Sequence, residues 1–449
     1  MVEKNKFALI LSAFLAGTFV YSVNSWFSIS GFYLVISTVI ILTLVVFVSH
    51  KSLPVLDLAR EQTLSMVLLT FILLGFTVNI VDINGELSLA MFVNRFFYFL
   101  SFMASILFLF GKSSVSIVNR LISKKYFLLL VIALIIQLTS LRVIKRPDID
   151  VYDVLKNGPI RVLRLENPYQ TSATRTDLEG KKFGYYHYAY GPVTIYLFLP
   201  FDFLFGEPRY LLVITSFVTV YALYNIAKMS GGTKEYAQLL SLLFLFSPKQ
   251  IDFLSYSWTD GLIVSFVMLA LLFYKKNKIE LFSIFLAFSL GVKIFYAIPF
   301  LFFLKKPELR TRKFVLPGLI TLLLVHLPFL IWDYRAIYTS IVKINTDPEV
   351  FASLRRSGLT VATFLDRQFH YYPPEIFFVL SLFFIVILFW FIIPKSRDIV
   401  ITITSVSLVF FVSVFLGPIG NASYYYSASC MLLGALAIVP SRKNTFIDD

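Results

Sequence analysis

The sequence predicts an all-α polytopic membrane protein of about fourteen transmembrane helices with two long extracytoplasmic loops, and three observations carry that reading. Composition comes first: 58% of the 449 residues are hydrophobic, 17% aromatic and only 15% charged, against roughly 25% charged in soluble domains. Apolar runs near the ~20 residues of a bilayer crossing then recur along the whole chain. Finally, the bases between those runs concentrate in alternate connections, as the positive-inside rule requires. The same rule assigns most of the formal charge of +14 to loop anchors, which sets nucleic acid aside as a partner. A single cysteine, Cys430, excludes an internal disulfide framework and a cysteine-rich metal site.

Taken in order, the first apolar runs are 7–25, 30–49, 63–82, 88–110 and 126–144. Met1-Val-Glu-Lys-Asn-Lys6 leads straight into the first, so that helix is expected to be retained rather than cleaved as a signal peptide. Lys4, Lys6, His50, Lys51, Arg60, Lys112, Arg120, Lys124 and Lys125 fall on one side, with Asn24-Ser-Trp26 and Asp82-Ile-Asn-Gly-Glu86 on the other. The N-terminus is therefore expected in the cytoplasm and the loop that starts at Arg146 outside. Nine further runs follow: 210–228, 235–249, 258–274, 279–292, 294–304, 314–332, 373–393, 398–416 and 422–439. Between them the clusters at Lys275–Lys278, Lys305–Lys313 and Lys395–Arg397, with the tail bases Arg442 and Lys443, land inside. This tally requires that 191–206 does not cross. With Pro192 and Pro200 and a polar end at Asp202 and Gly206-Glu-Pro-Arg209, that segment is expected to lie at the outer interface. The chain thus divides into a four-helix region of unassigned role (1–125), a main membrane region (126–440) and a cytoplasmic tail (441–449), in a plasma or endoplasmic reticulum membrane.

The two outer loops, 145–190 and 333–372, hold the chemistry. The first is the longest polar stretch and carries Asp148, Asp150, Asp153, several bases and a cluster of tyrosines. The second carries Arg335, Lys343, Arg355, Arg356 and Arg367. Long loops are translocated with little regard to charge, which is one account of these bases. The other is that they bind a phosphate at the membrane surface, where the planar fork of arginine fits phosphate oxygens. Asp148-Ile-Asp150 follows closely on a span, so a carboxylate there can take a proton from a hydroxyl, with its pKa raised by a partly dry setting. Helix-end and turn acids look the same in sequence. Lys293 stands alone in the apolar run Phe285–Phe303, where a cation needs a partner or cavity or snorkels to the headgroups. The four histidines show no ligand spacing, and no phosphate-binding glycine loop is present.

The motifs in order are Asp148-Ile-Asp-Val-Tyr152, Leu165-Glu-Asn-Pro-Tyr169, Tyr188-Ala-Tyr-Gly-Pro192, Phe205-Gly-Glu-Pro-Arg-Tyr-Leu211, Ser247-Pro248, Tyr256-Ser-Trp-Thr-Asp260 and Leu290-Gly-Val-Lys293 followed by Pro299. This series resembles the GT-C class of membrane glycosyltransferases, in particular the mannosyltransferases that use polyprenyl phosphate sugars. It covers about residues 140–439. Gly191-Pro192 replaces the more usual Pro-Pro, and four spans precede what would be the family's first. The resemblance implies Asp148 or Asp150 as the base, with Asp260 orienting donor or acceptor. It further implies a sugar-binding wall of Tyr152, Tyr185, Tyr186, His187 and Tyr190, although an interfacial aromatic belt would use the same residues. Lys293, with Arg355 or Arg356, would bind the lipid phosphate. No cofactor is required by charge, and a divalent cation (Mg or Mn) on Asp148 and Asp150 is compatible with carboxylate chemistry. The implied activity is inverting transfer of a monosaccharide, mannose favoured, from a polyprenyl or dolichyl phosphate to a lipid-linked or surface glycan. A polysaccharide polymerase or ligase, and a lipid-linked glycan flippase, are the alternative readings of a many-span protein with basic outer loops.

Overall fold

A computed structural model describes residues 2–19, 29–48, 60–77, 89–106, 116–144, 147, 150–170, 172–176, 182–343, 358–393, 395 and 398–439. The helices are α1 (Val2–Phe19), α2 (Ile29–Val48), α3 (Arg60–Thr77), α4 (Leu89–Ile106), α5 (Ser116–Val143), α6 (Asp150–Val162), α7 (Pro192–Phe205), α8 (Tyr210–Met229), α9 (Lys234–Leu245) and α10 (Gln250–Ser255). They continue as α11 (Asp260–Lys275), α12 (Ile279–Val292), α13 (Ala297–Phe300), α14 (Arg312–Ile337), α15 (Val361–Phe369), α16 (Glu375–Ile392), α17 (Ile399–Phe415) and α18 (Ala422–Ile438). Among the described residues four stretches are long and apolar enough to cross a membrane: Ser30–Phe47, Lys124–Arg142, Tyr210–Met229 and Arg312–Val342. The chain has the helical build and apolar surface of a membrane protein. On α14 and α16, Ile331 is 76% exposed and Phe391 79%, a surface that needs an apolar solvent rather than water.

Two departures from the sequence reading are local. The loop 145–190 is not purely helical or irregular: β1 (Ser172–Thr176) and β2 (Lys182–His187) pair antiparallel, with Ser172 opposite His187 and an irregularity after Thr174. β1 carries Thr174 and Thr176, and β2 carries Phe183, Tyr185 and Tyr186, residue types that favour an extended ribbon. The apolar run 294–304 is no continuous helix but a 3-10 turn (Ile294–Tyr296), α13 and a second 3-10 turn (Leu301–Lys305). Lys293 is extended (φ −144°, ψ 111°) and ends α12, while Pro299 removes an amide donor from the next turn.

The deepest core lies among α8, α9, α11, α17 and α18. α1 packs on α18 and α2 on α17, while α3 packs on α9. A Cβ on Gly17 would fall 2.0 Å from Ser429 Oγ, so this glycine lets α1 and α18 approach closely. Phe32 of α2 stacks on Phe364 of α15 at 4.5 Å. Polar contacts separate the two ends of the bundle. At one end Lys6 pairs with Asp398 (2.8 Å), Lys125 with Glu235 (3.0 Å), and Thr233 donates to Glu61 (3.1 Å). Asp398 also caps α17 by accepting from Val400 N. The other end gathers the ends of α5, α12 and α14 with residues 150–170 and 188–191 and the starts of α8, α11 and α18.

Candidate functional site

Arg209 stands at the entrance to α8 and is fully buried. Gly206, left-handed at φ 64°, closes α7 by donating to the Asp202 carbonyl, and Pro208 prevents the helix from continuing. The tight turn sets Glu207 beside Arg209. The guanidinium donates from Nε and Nη2 to the two carboxylate oxygens of Glu207 (2.8 and 2.6 Å). Its Nη1 donates to the carbonyl of Ile144 (2.7 Å), just past the last residue of α5. A cation there satisfies an unpaired helix-end carbonyl and complements the helix dipole. The guanidinium also lies 4.8 Å from the ring centre of Tyr152, which is buried and accepts a 3.4 Å hydrogen bond from Lys156. Nearby Asp202 is 8% exposed. Its burial raises the carboxyl pKa above the usual range, with Lys156 opposing and Glu207 adding to the rise.

A second cluster joins α11 to α12. Asp260 is the first residue of α11 and Lys293 follows the last residue of α12, so each charge sits at the helix end whose dipole favours it. The two helices form an antiparallel hairpin, and the charges meet: Lys293 Nζ donates to Asp260 Oδ2 at 2.7 Å. Tyr296 donates to Asp260 Oδ1 at 2.9 Å. The Asp260 side chain is fully buried and that of Lys293 is 10% exposed. Aromatic rings surround the ammonium, with Tyr424 at 4.8 Å, Tyr190 at 5.7 Å and Phe295 at 6.0 Å from their centres. Tyr190 is seated by a close backbone approach. Gly191 N donates to Val292 O (2.9 Å), and a Cβ on Gly191 would lie 2.1 Å from the Gly291 carbonyl.

A third set of contacts joins the segment 167–194 to the end of α14. The side chain of Asn167 accepts from Tyr169 N (3.0 Å) and forms a tight turn around Pro168. Tyr169 donates to the Tyr190 carbonyl (3.0 Å), Ser340 donates to the Tyr169 carbonyl (2.9 Å), and Gln170 donates to Asp333 (2.7 Å). The hydroxyls of Tyr188 and Thr194 lie 2.7 Å apart. Tyr169 meets Tyr188 and Phe329 edge-on at 5.5 and 5.4 Å. Burial pushes the phenol pKa of both Tyr169 and Tyr188 up, so they act as neutral hydrogen-bonding groups. α14 reaches this contact by an extended residue at Asp333 (φ −165°, ψ 96°), which breaks the helix and redirects the chain. Further along, Tyr425 donates to the Leu359 carbonyl (2.5 Å), and Leu359 N donates to Gly420 O (3.0 Å).

Of the residues singled out from sequence, Asp260, Lys293 and Tyr190 come together. Tyr152 belongs to the Arg209 cluster instead. Asp150 is the first residue of α6, and Tyr185, Tyr186 and His187 lie on β2 opposite Thr174, Ala173 and Ser172. Asp148, Arg355 and Arg356 lie outside the described residues. Sequence reasoning missed the contact roles of Arg209, Tyr296 and Phe295. Tyr296 was within reach, because a 3-10 turn places residues three apart on one face. Among the described residues no three His, Cys, Asp or Glu side chains gather as a metal would require. Compared with protein-family models, curated proteins and solved structures, the chain matches none.

Proposed function

We propose that the chain is a membrane glycosyltransferase that moves a monosaccharide, mannose as the first choice, from a polyprenyl phosphate to a glycan or glycolipid acceptor. One observation carries the reading. The residue after α5, the first turn of α6, the turn at Tyr190, the start of α11, the cation ending α12 and the start of α18 all lie at one end of an apolar helical bundle. A buried carboxylate, an aromatic-lined cation and a tyrosine hydroxyl thus share one polar end, and such a set suits sugar transfer from an anionic lipid. Under this proposal that end faces outward, both termini are cytoplasmic, and the chain crosses the membrane about fourteen times.

In the proposed reaction Asp148 or Asp150 accepts the proton of the acceptor hydroxyl as its oxygen bonds to the anomeric carbon. The bond between that carbon and the phosphate oxygen breaks from the opposite face, inverting the centre, and the polyprenyl phosphate leaves with the bonding pair. Lys293 steadies the leaving phosphate. Its ammonium has three N–H donors, of which Asp260 takes one, and the surrounding rings hold water back and strengthen the remaining attraction. Tyr190 and Tyr424 supply ring faces for the sugar.

The test uses purified protein in lipid, radiolabelled polyprenyl-phosphate mannose and a membrane lipid extract. Asp148→Asn and Asp150→Asn run beside the parent. Transfer should fall by about 10²–10⁴ in one variant while donor binding persists. Undiminished transfer in both removes the base assignment. No transfer by the parent with any of several lipid-linked sugars removes the glycosyltransferase reading and favours the polymerase or flippase.

A further inference from the structure

At the end of the bundle away from Asp260 and Lys293, the chain after α13 folds back through two short turns. The 3-10 turn Leu301–Lys305 stops at Lys306, and a second follows at Pro307–Leu309. Arg310 then donates from Nε to the Leu304 carbonyl (2.6 Å). Doubling back in this way sets Lys305 against the last turn of α16. Its ammonium donates to the Trp390 carbonyl (2.5 Å) and stands 5.1 Å from the centre of that residue's ring. Lys305 is only 6% exposed, and the nearby charges are of its own sign, since Arg310 and Lys395 both repel it. Among the described residues no carboxylate pairs with it. Glu308 is held by Lys306 (3.1 Å) and Asp398 by Lys6 (2.8 Å).

Bases that only anchor a loop on one side of a membrane stay in water and need no burial. Helix capping does account for one bond, because α16 leaves its last carbonyls unpaired. A helix C-terminus offers only about half a negative charge, set here against three positive side chains. Two of the three ammonium donors of Lys305 and both terminal nitrogens of Arg310 make no hydrogen bond among the described residues. A buried cation beside like charges is costly unless an anion joins it. Phosphate has the oxygens to engage an ammonium and a guanidinium together. The adjoining surface decides which phosphate. Leu301, in the same turn as Lys305, and Phe391 and Ile392, next to Trp390, are exposed apolar side chains, a track that suits acyl chains rather than a soluble anion. We propose that Lys305, Arg310 and Lys395 hold the phosphate of an anionic phospholipid headgroup, whose chains lie along these apolar side chains. A basic pocket between helices at a leaflet rich in anionic lipid recognises such a headgroup. The site does not rest on the glycosyltransferase reading and is measured without turnover.

The experiment titrates the purified protein in neutral detergent with phosphatidylglycerol, phosphatidylcholine or glycerol 1-phosphate. It reads the unfolding midpoint, which rises with any ligand that binds the folded chain. Phosphatidylglycerol should raise the midpoint saturably, at concentrations about tenfold or more below those phosphatidylcholine needs, and glycerol 1-phosphate should not raise it. Arg310→Gln and Lys395→Gln, both at exposed positions, should each weaken the phosphatidylglycerol affinity about tenfold. Lys234→Gln, at an exposed base elsewhere at the same end, should leave it unchanged. Lys305→Met should abolish the response. Equal responses to the two lipids, or a loss with Lys234→Gln as large as with Arg310→Gln, would mean adsorption to general surface charge and overturns the site. A response to glycerol 1-phosphate equal to that with phosphatidylglycerol overturns the lipid as occupant. If Lys305→Met does not fold, the two exposed variants still decide, and parental affinity in both refutes the proposal.

Discussion

At the scale of single residues the site is a problem of charge in a dry place. Asp260 and Lys293 are each buried, and each is tolerated because the other is 2.7 Å away. Removing one partner strands the other. Asp260→Asn should cost about 3–5 kcal/mol of stability, whereas Asp260→Asn with Lys293→Met should recover most of it and remain inactive. Thermal unfolding in detergent checks this, and a double variant no more stable than the single one would show that the pair is not coupled. Asp202 poses the opposite problem, since burial raises its pKa above the ordinary carboxylate value. A carboxyl raised on folding penalises the ionised fold above the raised pKa, and the penalty vanishes below the unfolded value. Asp202→Asn should therefore raise the unfolding midpoint at pH 7, with the gain shrinking as pH falls toward about 4. A gain independent of pH would assign the effect to packing instead. Both members of the buried pair were legible in the sequence, one as a motif acid and one as a solitary cation in an apolar run. Their pairing was not, because it depends on where the α11–α12 hairpin closes.

At the scale of elements, the apolar helices were legible from hydropathy and the breaks between them less so. The run 294–304 is apolar enough for a helix, yet the extended residue Lys293 and Pro299 divide it into short turns. That division sets Phe295 and Tyr296 beside the buried charges. The ribbon at 172–187 escaped notice because its strands are only 5 and 6 residues long and have no apolar alternation. The motif Tyr188-Ala-Tyr-Gly-Pro192 was legible as a unit, but the reason for its glycine is visible only in three dimensions. Gly191 lets the entry to α7 press against the end of α12, where a Cβ would strike the Gly291 carbonyl. A backbone atom cannot swing aside as a side chain can, so Gly191→Ala should cost about 1–3 kcal/mol and displace Tyr190 from Lys293. The measurement is an unfolding midpoint together with donor affinity. An alanine variant with parental values for both would mean that the two backbones separate freely.

Across the whole molecule, orientation follows from α7. The charge tally requires that α7 lie along the outer interface rather than cross, and its contacts give that expectation a test. Its first residue follows Gly191, which bonds to the end of α12, and its last precedes Glu207 and Arg209, which hold the end of α5. α8 then runs away toward Gly232, to which Lys228 donates, and Thr233, which bonds Glu61 at the opposite end. Cys430 is fully buried, so the native thiol should not react and introduced cysteines can report sidedness. Arg164→Cys, Phe205→Cys and Lys278→Cys all place thiols at exposed positions. With a membrane-impermeant maleimide on intact cells, the first two should label and the third only after permeabilisation. Labelling of Arg164→Cys and Phe205→Cys from opposite sides would make α7 a crossing and invert every later loop. Arg209 would then lie across the bilayer from Ile144 and Tyr152, which its guanidinium contacts at 2.7 and 4.8 Å. Both groups of bases at Lys275–Lys278 and Lys305–Lys313 would also face outward against the charge rule. Same-side labelling keeps the acidic connection, Tyr190 and Lys293 on one face of the membrane, as transfer from a lipid phosphate needs.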